Sequence, residues 1–413
     1  MFQFLSIFKT QRHWLGRLSV ILLSGWANIH VAHATDTRLQ DPYTDRPISF
    51  SVQMGADTWD LRTPEKSEAK LRGVDNLFLA NSNTKWNYKN ATAWVKTEGQ
   101  WTIHSNLALT YKARGEQSVG LKLDDLHFDY HVSPKFGLRV GVVDYKTSWC
   151  RTYEVDSPWI RENDPFCTTQ TTNSATLSAP GLQSYFIFTP SRYHIQTMLG
   201  VYRPKVFGYS PDEFSNVVNT NGIAVNHRWG WSLNVLNLEN ASEFRLSWLA
   251  AHQENNRDDG GYRAQRNSTW YLGVSFYPAE KVNLRASILS SKTNQKSLDS
   301  PPDYTQILDT TMLRESRSLE LIYQLNGQNT LGLGVSRYIH NWDLVGMNGL
   351  ESYTDPNYVK FVQRGTSVTW RHDWERGIYT SIQWTTSKND QIYAHTAANA
   401  KGNGLGLRLG FSY

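Results

Sequence analysis

The last twelve residues, Gly402 to Tyr413, constrain the fold more than any other stretch. Leu405, Leu407, Leu409, Phe411 and Tyr413 alternate strictly with Gly406, Arg408, Gly410 and Ser412. A period of two belongs to an extended strand with one apolar face and one small or charged face. A strand of an aqueous sandwich shows the same alternation but rarely ends on an aromatic carboxy terminus with an arginine on its inner face. In a membrane barrel the apolar face meets lipid, the arginine points into a wet lumen, and the terminal tyrosine lies at the interface.

The amino terminus reads as a secretory signal. Lys9, Arg12 and Arg17 form a positive region, Leu18 to Trp26 a short apolar core, and Ala32-His33-Ala34 a small-x-small cleavage site. Cleavage is expected after Ala34, leaving residues 35–413 as the mature barrel. The apolar run is far shorter than the ~20 residues a helical span needs. Removing those three cations from 42 basic residues leaves 39 against 37 acidic ones, a formal charge of +2. That balance gives no reason to expect a nucleic-acid partner.

The mean hydropathy of −0.52 does not argue against a membrane protein. In a barrel half of each strand faces water, so the signal per segment is weak. Aromatics at 13% with only 19% charged residues suit an interfacial girdle better than a fully solvated surface.

Segments with strand character fall near 48–58, 90–102, 106–115, 119–132, 136–147, 182–190, 192–203, 225–237, 242–253, 267–277, 281–292, 315–325, 329–341, 361–373, 377–388 and 402–413. Short links carrying Pro, Asn, Gly or Ser alternate with long polar ones. The exception is Glu116-Gln117-Ser118, which is short where a long link is due. This alternation predicts an all-β, transmembrane antiparallel barrel of about sixteen strands, with tight periplasmic turns and long outside loops. An even, closed count leaves no unpaired edge in lipid. Rings near both ends of the strands, Tyr193, Trp374 and Tyr202 among them, are expected to form two girdles.

Parity assigns the outward and inward faces. Phe244, Leu246, Trp248 and Ala250 share one face, as do Trp270, Leu272, Val274 and Phe276. The opposite faces expose Lys96, Glu98, Lys112, Arg114, Arg139, Arg245, Arg285, Arg371 and Arg408. Mid-strand arginines are expensive against lipid, so these nine residues are expected to line the pore. Cations on the wall would favour anions mildly. The plainer reading is a solvated lumen without selectivity.

The long link from Lys146 to Gly181 holds both cysteines, Cys150 and Cys167, which in an exported chain read as one disulfide. Closing a loop of that size stabilises by roughly 3 kcal/mol. Between them lie Glu154, Asp156, Trp159, Glu162 and Asp164. Sixteen strands with such a third outside loop resemble the general porins of Gram-negative outer membranes. Phe411 and Tyr413 are similar to the closing-strand signal read by the barrel assembly machinery. The resemblance implies a passive channel for small hydrophilic solutes, in contact with outer-membrane lipids, whose third loop (146–181) folds inward with its acids facing a basic wall. The acidic-glycine signature of enterobacterial constriction loops is missing. The short second link also departs from porins that latch a neighbouring subunit, so a homotrimer stays open.

Asp125, His127, Asp129 and His131 share one strand face. They are read as polar lumen lining, since metal sites usually converge from several elements. His131-Val132-Ser133 has the spacing of a base and a hydroxyl on one face. It runs into Pro134 at a short turn, away from the leaflet a barrel lipid hydrolase attacks. There is no phosphate-cradling loop, zinc-type cysteine spacing or nucleophile elbow, so no catalytic residue, metal or cofactor is expected. The rival readings are a solute-specific uptake channel, a barrel lipid hydrolase and a structural barrel with a plugged lumen.

Overall fold

The alternation seen at the carboxy terminus recurs on sixteen strands in the computed structural model, which describes residues 48–62, 92–116, 120–146, 159, 176–202, 225–256, 262–298, 306–348, 351–393 and 396–412. The strands are β1 (Ile48–Arg62), β2 (Thr92–His104), β3 (Leu107–Glu116), β4 (Gly120–Ser133), β5 (Phe136–Lys146), β6 (Thr176–Phe188), β7 (Tyr193–Tyr202) and β8 (Val225–Asn237). They continue as β9 (Glu243–Asn256), β10 (Tyr262–Ala279), β11 (Val282–Leu298), β12 (Gln306–Gln324), β13 (Asn329–Asn348), β14 (Glu351–Asp373), β15 (Ile378–Tyr393) and β16 (Thr396–Ser412). Each pairs antiparallel with its sequence neighbours, and β16 closes on β1 with Gly55 opposite Gly410 and Asp57 opposite Arg408. Closure gives each of these strands a hydrogen-bonded neighbour on both sides, as hydrocarbon requires. The predicted signal at 1–34, together with Cys150, Cys167, Glu154, Asp156, Glu162, Asp164 and Tyr413, lies outside the described residues.

The solvent logic of a soluble protein is inverted. Leu319, Leu333, Leu409, Phe186 and Trp270 are exposed on the outer face, whereas Ser247, Thr369 and Gln383 are buried on the inner one. Such a continuous apolar exterior is unsuited to water and fits a bilayer.

The short turns are built as their composition requires. Ser133 Oγ accepts from the amides of Lys135 and Phe136, and Asn326 Oδ1 from those of Gln328 and Asn329. Asn240 Oδ1 accepts from the Ser242 amide. Ser191, Ala241 and Arg376 take positive φ at 53°, 56° and 62°, bending the chain back within a few residues.

The strands run longer at the other end than the sequence suggests. The segments expected at 315–325, 329–341 and 361–373 are β12, β13 and β14, each at least 19 residues long. Polar stretches that read as loop pair as ladder instead. Backbone pairing needs no apolar face where both faces are wet, so composition does not mark where such ribbons end. Two prolines also masked strand. Pro180 lies in β6 opposite Val142 of β5, one residue beyond Gly181↔Tyr202, the last β6–β7 pair among the described residues. Pro356 falls in a bulge, opposite a register break between Trp342 and Leu344. In the bulge a missing N–H costs no ladder bond.

Candidate pore and its lining

Inward positions divide by chemistry. On β2 to β5 many are charged; from β9 to β15 serine, threonine and glutamine recur among scattered charges and rings. Ser287 and Ser318 lie 2.7 Å apart through their hydroxyls, Thr269 donates to Ser291 at 3.0 Å, and Ser367 and Thr385 approach to 2.9 Å. These short side chains keep the wall thin and polar on that side.

All nine charged residues expected on the pore wall lie on inward faces. The sequence did not reveal how thoroughly they are matched. Glu98 pairs with Lys96 at 3.4 Å and stands 4.0 Å from Lys112, while Arg114 meets Asp124 at 3.0 Å. Arg245 reaches Glu243 at 3.3 Å, and Arg371 is paired with Asp373. Arg285 donates to Asn283 at 2.9 Å and stands opposite Glu320 across the β11–β12 ladder. Alternate positions on a strand share a face, so the spacings Glu243-x-Arg245 and Arg371-x-Asp373 announce their own pairing. Cross-strand partners such as Asp129 for Arg139 need the register, which composition does not supply.

Arg139 anchors the densest network. Its Nε donates to Asp129 Oδ2 at 2.9 Å, and its guanidinium lies over the Tyr185 ring, 4.7 Å from the centroid. Tyr185 donates its hydroxyl to Asp129 Oδ1 at 2.7 Å and lies 2.7 Å from His131 Nδ1. Asp125 is bonded to His127 Nδ1. The stripe Asp125-His127-Asp129-His131 is therefore a buried hydrogen-bonded part of the wall, and among the described residues no three ligands gather around a metal position. Ser133 is taken up in capping the β4–β5 turn, while His131 bonds Tyr185, so the two do not form a base–nucleophile pair.

Tyr185 was not apparent from the sequence. It fits because Gly137 faces it across the β5–β6 ladder, where any side chain would strike the ring. Gly410 leaves the same space beneath Tyr379, whose other face carries Arg371 at 4.3 Å. Aromatic rings laid flat over glycines line the lumen without filling it. Tyr202, placed by sequence in an interfacial girdle, belongs to this set instead. It is buried on the inner face against Val143, Ala179 and Leu249, and its hydroxyl accepts from Gln183 Nε2 at 2.7 Å. Its outward neighbours Leu199 and Val201 fix that parity.

One residue of the long link after β5 is placed, and it is inside the barrel. Trp159 is 2% exposed. Its main-chain oxygen accepts from Arg408 Nη1 at 3.1 Å, and its ring lies against Gly332 of β13, where a Cβ would come within 3.0 Å. Arg408 itself lies over Trp94 of β2, 5.7 Å from the ring centroid. The closing-strand arginine thus meets both a wall tryptophan and the main-chain oxygen of Trp159.

This is a closed, sixteen-strand transmembrane β-barrel with an apolar exterior and a polar, charge-paired interior. Known proteins agree at the level of fold. The outer membrane channel DcaP of Acinetobacter baumannii superposes with a TM-score of 0.52 at 10% identity, covering 89% of this chain and 97% of that one. An anion-selective porin from Comamonas acidovorans gives 0.51 at 10% identity, with 89% and 99% covered. OprB of Pseudomonas putida gives 0.52 at 9% identity, with 89% and 94% covered. No family model and no curated protein sequence matches the chain.

Proposed function

We propose that the chain is an outer-membrane porin, a passive channel for small hydrophilic solutes whose bore is narrowed by the link 146–181. The observation that carries this reading is Trp159, held inside the lumen by Arg408 and seated against Gly332. A segment that enters the barrel and bonds its wall restricts the cross-section without needing a separate domain. The wall sets the rest of the mechanism. Hydroxyls and paired charges replace the hydration of a passing solute.

The field along the wall follows from the pairing. With most inward cations opposite an acid, the remaining attraction for anions is slight and short-ranged, since salt screens it over ~8 Å at physiological strength. The acids Glu154, Asp156, Glu162 and Asp164 would face this wall from the link and reduce it further. A disulfide between Cys150 and Cys167 would hold the link's closed form. Phe411 and Tyr413 would present the closing strand to the assembly machinery, and a homotrimer would be compatible with the exterior. The proposal is tested by reconstituting folded protein into lipid vesicles and following osmotic swelling in small and large sugars. Rapid swelling with monosaccharides that falls off steeply with solute size is expected; swelling no faster than protein-free vesicles contradicts a channel.

A further inference from the structure

On the outer face, four cations stand side by side across four strands. Arg317 of β12 is opposite Arg337 of β13, which is opposite Arg364 of β14, which is opposite Lys388 of β15. With strands ~4.8 Å apart, the row spans roughly 14 Å. All four are exposed and share the outward parity of Leu319, Leu333, Val368 and Trp384 on the same strands.

Their height is set by the strands. Arg317 to Lys388 lie seven to ten residues above the short-turn ends of β12 to β15. At ~3.4 Å per residue and a tilt of ~40°, that is roughly 18–26 Å along the barrel axis. An apolar band of ~25 Å therefore ends within the height of the row, close to its upper end. The row borders the leaflet at the long-loop end.

Such a row is unfavourable by itself. Like charges directly opposite one another destabilise a sheet, and cations facing hydrocarbon cost more. The protein supplies only part of the compensation. Glu315 pairs with Arg317 at 3.4 Å, and Asp390 is shared between Arg364 and Lys388 at 3.6 Å each. Among the described residues Arg337, flanked in register by two arginines, has no ion pair. Four cations share two carboxylates, and the surplus faces outward at headgroup depth.

We propose that this row binds the phosphate groups of lipids in the adjoining leaflet, with Arg337 and Arg364 as the principal contacts. Guanidinium forks donate to phosphate oxygens in pairs, which an ammonium cannot do. In the outer membrane, the location proposed above, the lipid at that depth would be a phosphorylated glycolipid. A second copy of the chain is a poorer occupant, since it would have to bring acids to an outer face whose described charges here are mainly basic.

The test uses the folded full chain in neutral detergent, with purified lipopolysaccharide, the same lipid stripped of its phosphates, and inorganic phosphate as probes. Co-elution of lipid with protein is measured for the natural chain, for Arg337→Gln/Arg364→Gln, and for Arg337→Lys. Removing both arginines, or the lipid phosphates, should weaken retention at least about tenfold; Arg337→Lys should fall between, and inorganic phosphate should not displace the lipid. Equal retention by the double variant or of the stripped lipid overturns the proposal, as does displacement by inorganic phosphate, which would mark a free-anion site. A change of oligomeric state with unchanged lipid retention would make the row a contact between copies instead. The heat-shifted gel band verifies that each variant is folded. Membrane fractionation reports separately on location: protein found in the outer membrane without phosphate-dependent retention defeats this inference alone.

Discussion

Arg408 Nη1 donates to the main-chain oxygen of Trp159 at 3.1 Å, joining the closing strand to a residue 249 positions earlier in the chain. Because the acceptor is a backbone oxygen, the bond holds the main chain at Trp159 rather than its side chain. Arg408 is 3% exposed, so the bond replaces solvation that the guanidinium would otherwise have in an open lumen. The seat beside Gly332 is the second half of this relationship. A Cβ at Gly332 would meet both Thr369 and the Trp159 ring. Gly332→Val should therefore unseat Trp159 while leaving the barrel folded. Limited proteolysis should cut within 146–181 faster, by about tenfold, with the heat-shifted gel band preserved; an unchanged cleavage rate would mean the tryptophan is not held by this seat.

The Arg139 network predicts an order of stabilities. Asp129→Asn leaves Arg139 without its carboxylate at a largely buried position and should cost about 3 kcal/mol. Tyr185→Phe removes one hydroxyl and should cost about 1–2 kcal/mol. The temperature at which the compact band disappears from detergent gels should fall in that order. If Tyr185→Phe proves the more damaging, the charge pair does not dominate the network.

Adjacent positions on β16 should behave oppositely. Leu407 and Leu409 are exposed outward, while Arg408 between them is buried inward. Leu407→Arg or Leu409→Arg places a cation against lipid at a cost of ~2–4 kcal/mol near midplane, and should sharply reduce the folded fraction in vesicles. Arg408→Ser should insert normally. Loss of insertion in all three would mean that facing does not govern assembly here.

The strands themselves were legible because lipid outside and water inside impose a strict period of two. All sixteen segments match a strand, and parity put Arg245, Arg285 and Arg371 on the inner face. The sequence was less informative where that contrast disappears. Above the membrane both faces are wet, so the extensions of β13 and β14 looked like loop. Tyr202 was misplaced because a ring at a strand end suits either a girdle or a glycine-backed inner wall; the parity of Leu199 and Val201 decides between them. Arg139 was found, but its partners Asp129 and Tyr185 are set by register across β4, β5 and β6. Trp159 was singled out among the loop residues, although nothing local specified Arg408 and Gly332 as what it touches.

The central claim is that the link containing Trp159 narrows a conducting lumen, and single-channel conductance in planar bilayers tests it most directly. The natural protein should show discrete, ohmic openings. Trp159→Ala and Arg408→Ser, each of which releases the link from the β13–β16 wall, should raise conductance and add current noise as the freed segment moves in and out of the bore. Natural and variant channels with identical conductance and equally quiet traces would contradict a constriction at Trp159, and a folded barrel that conducts nothing would contradict the channel itself.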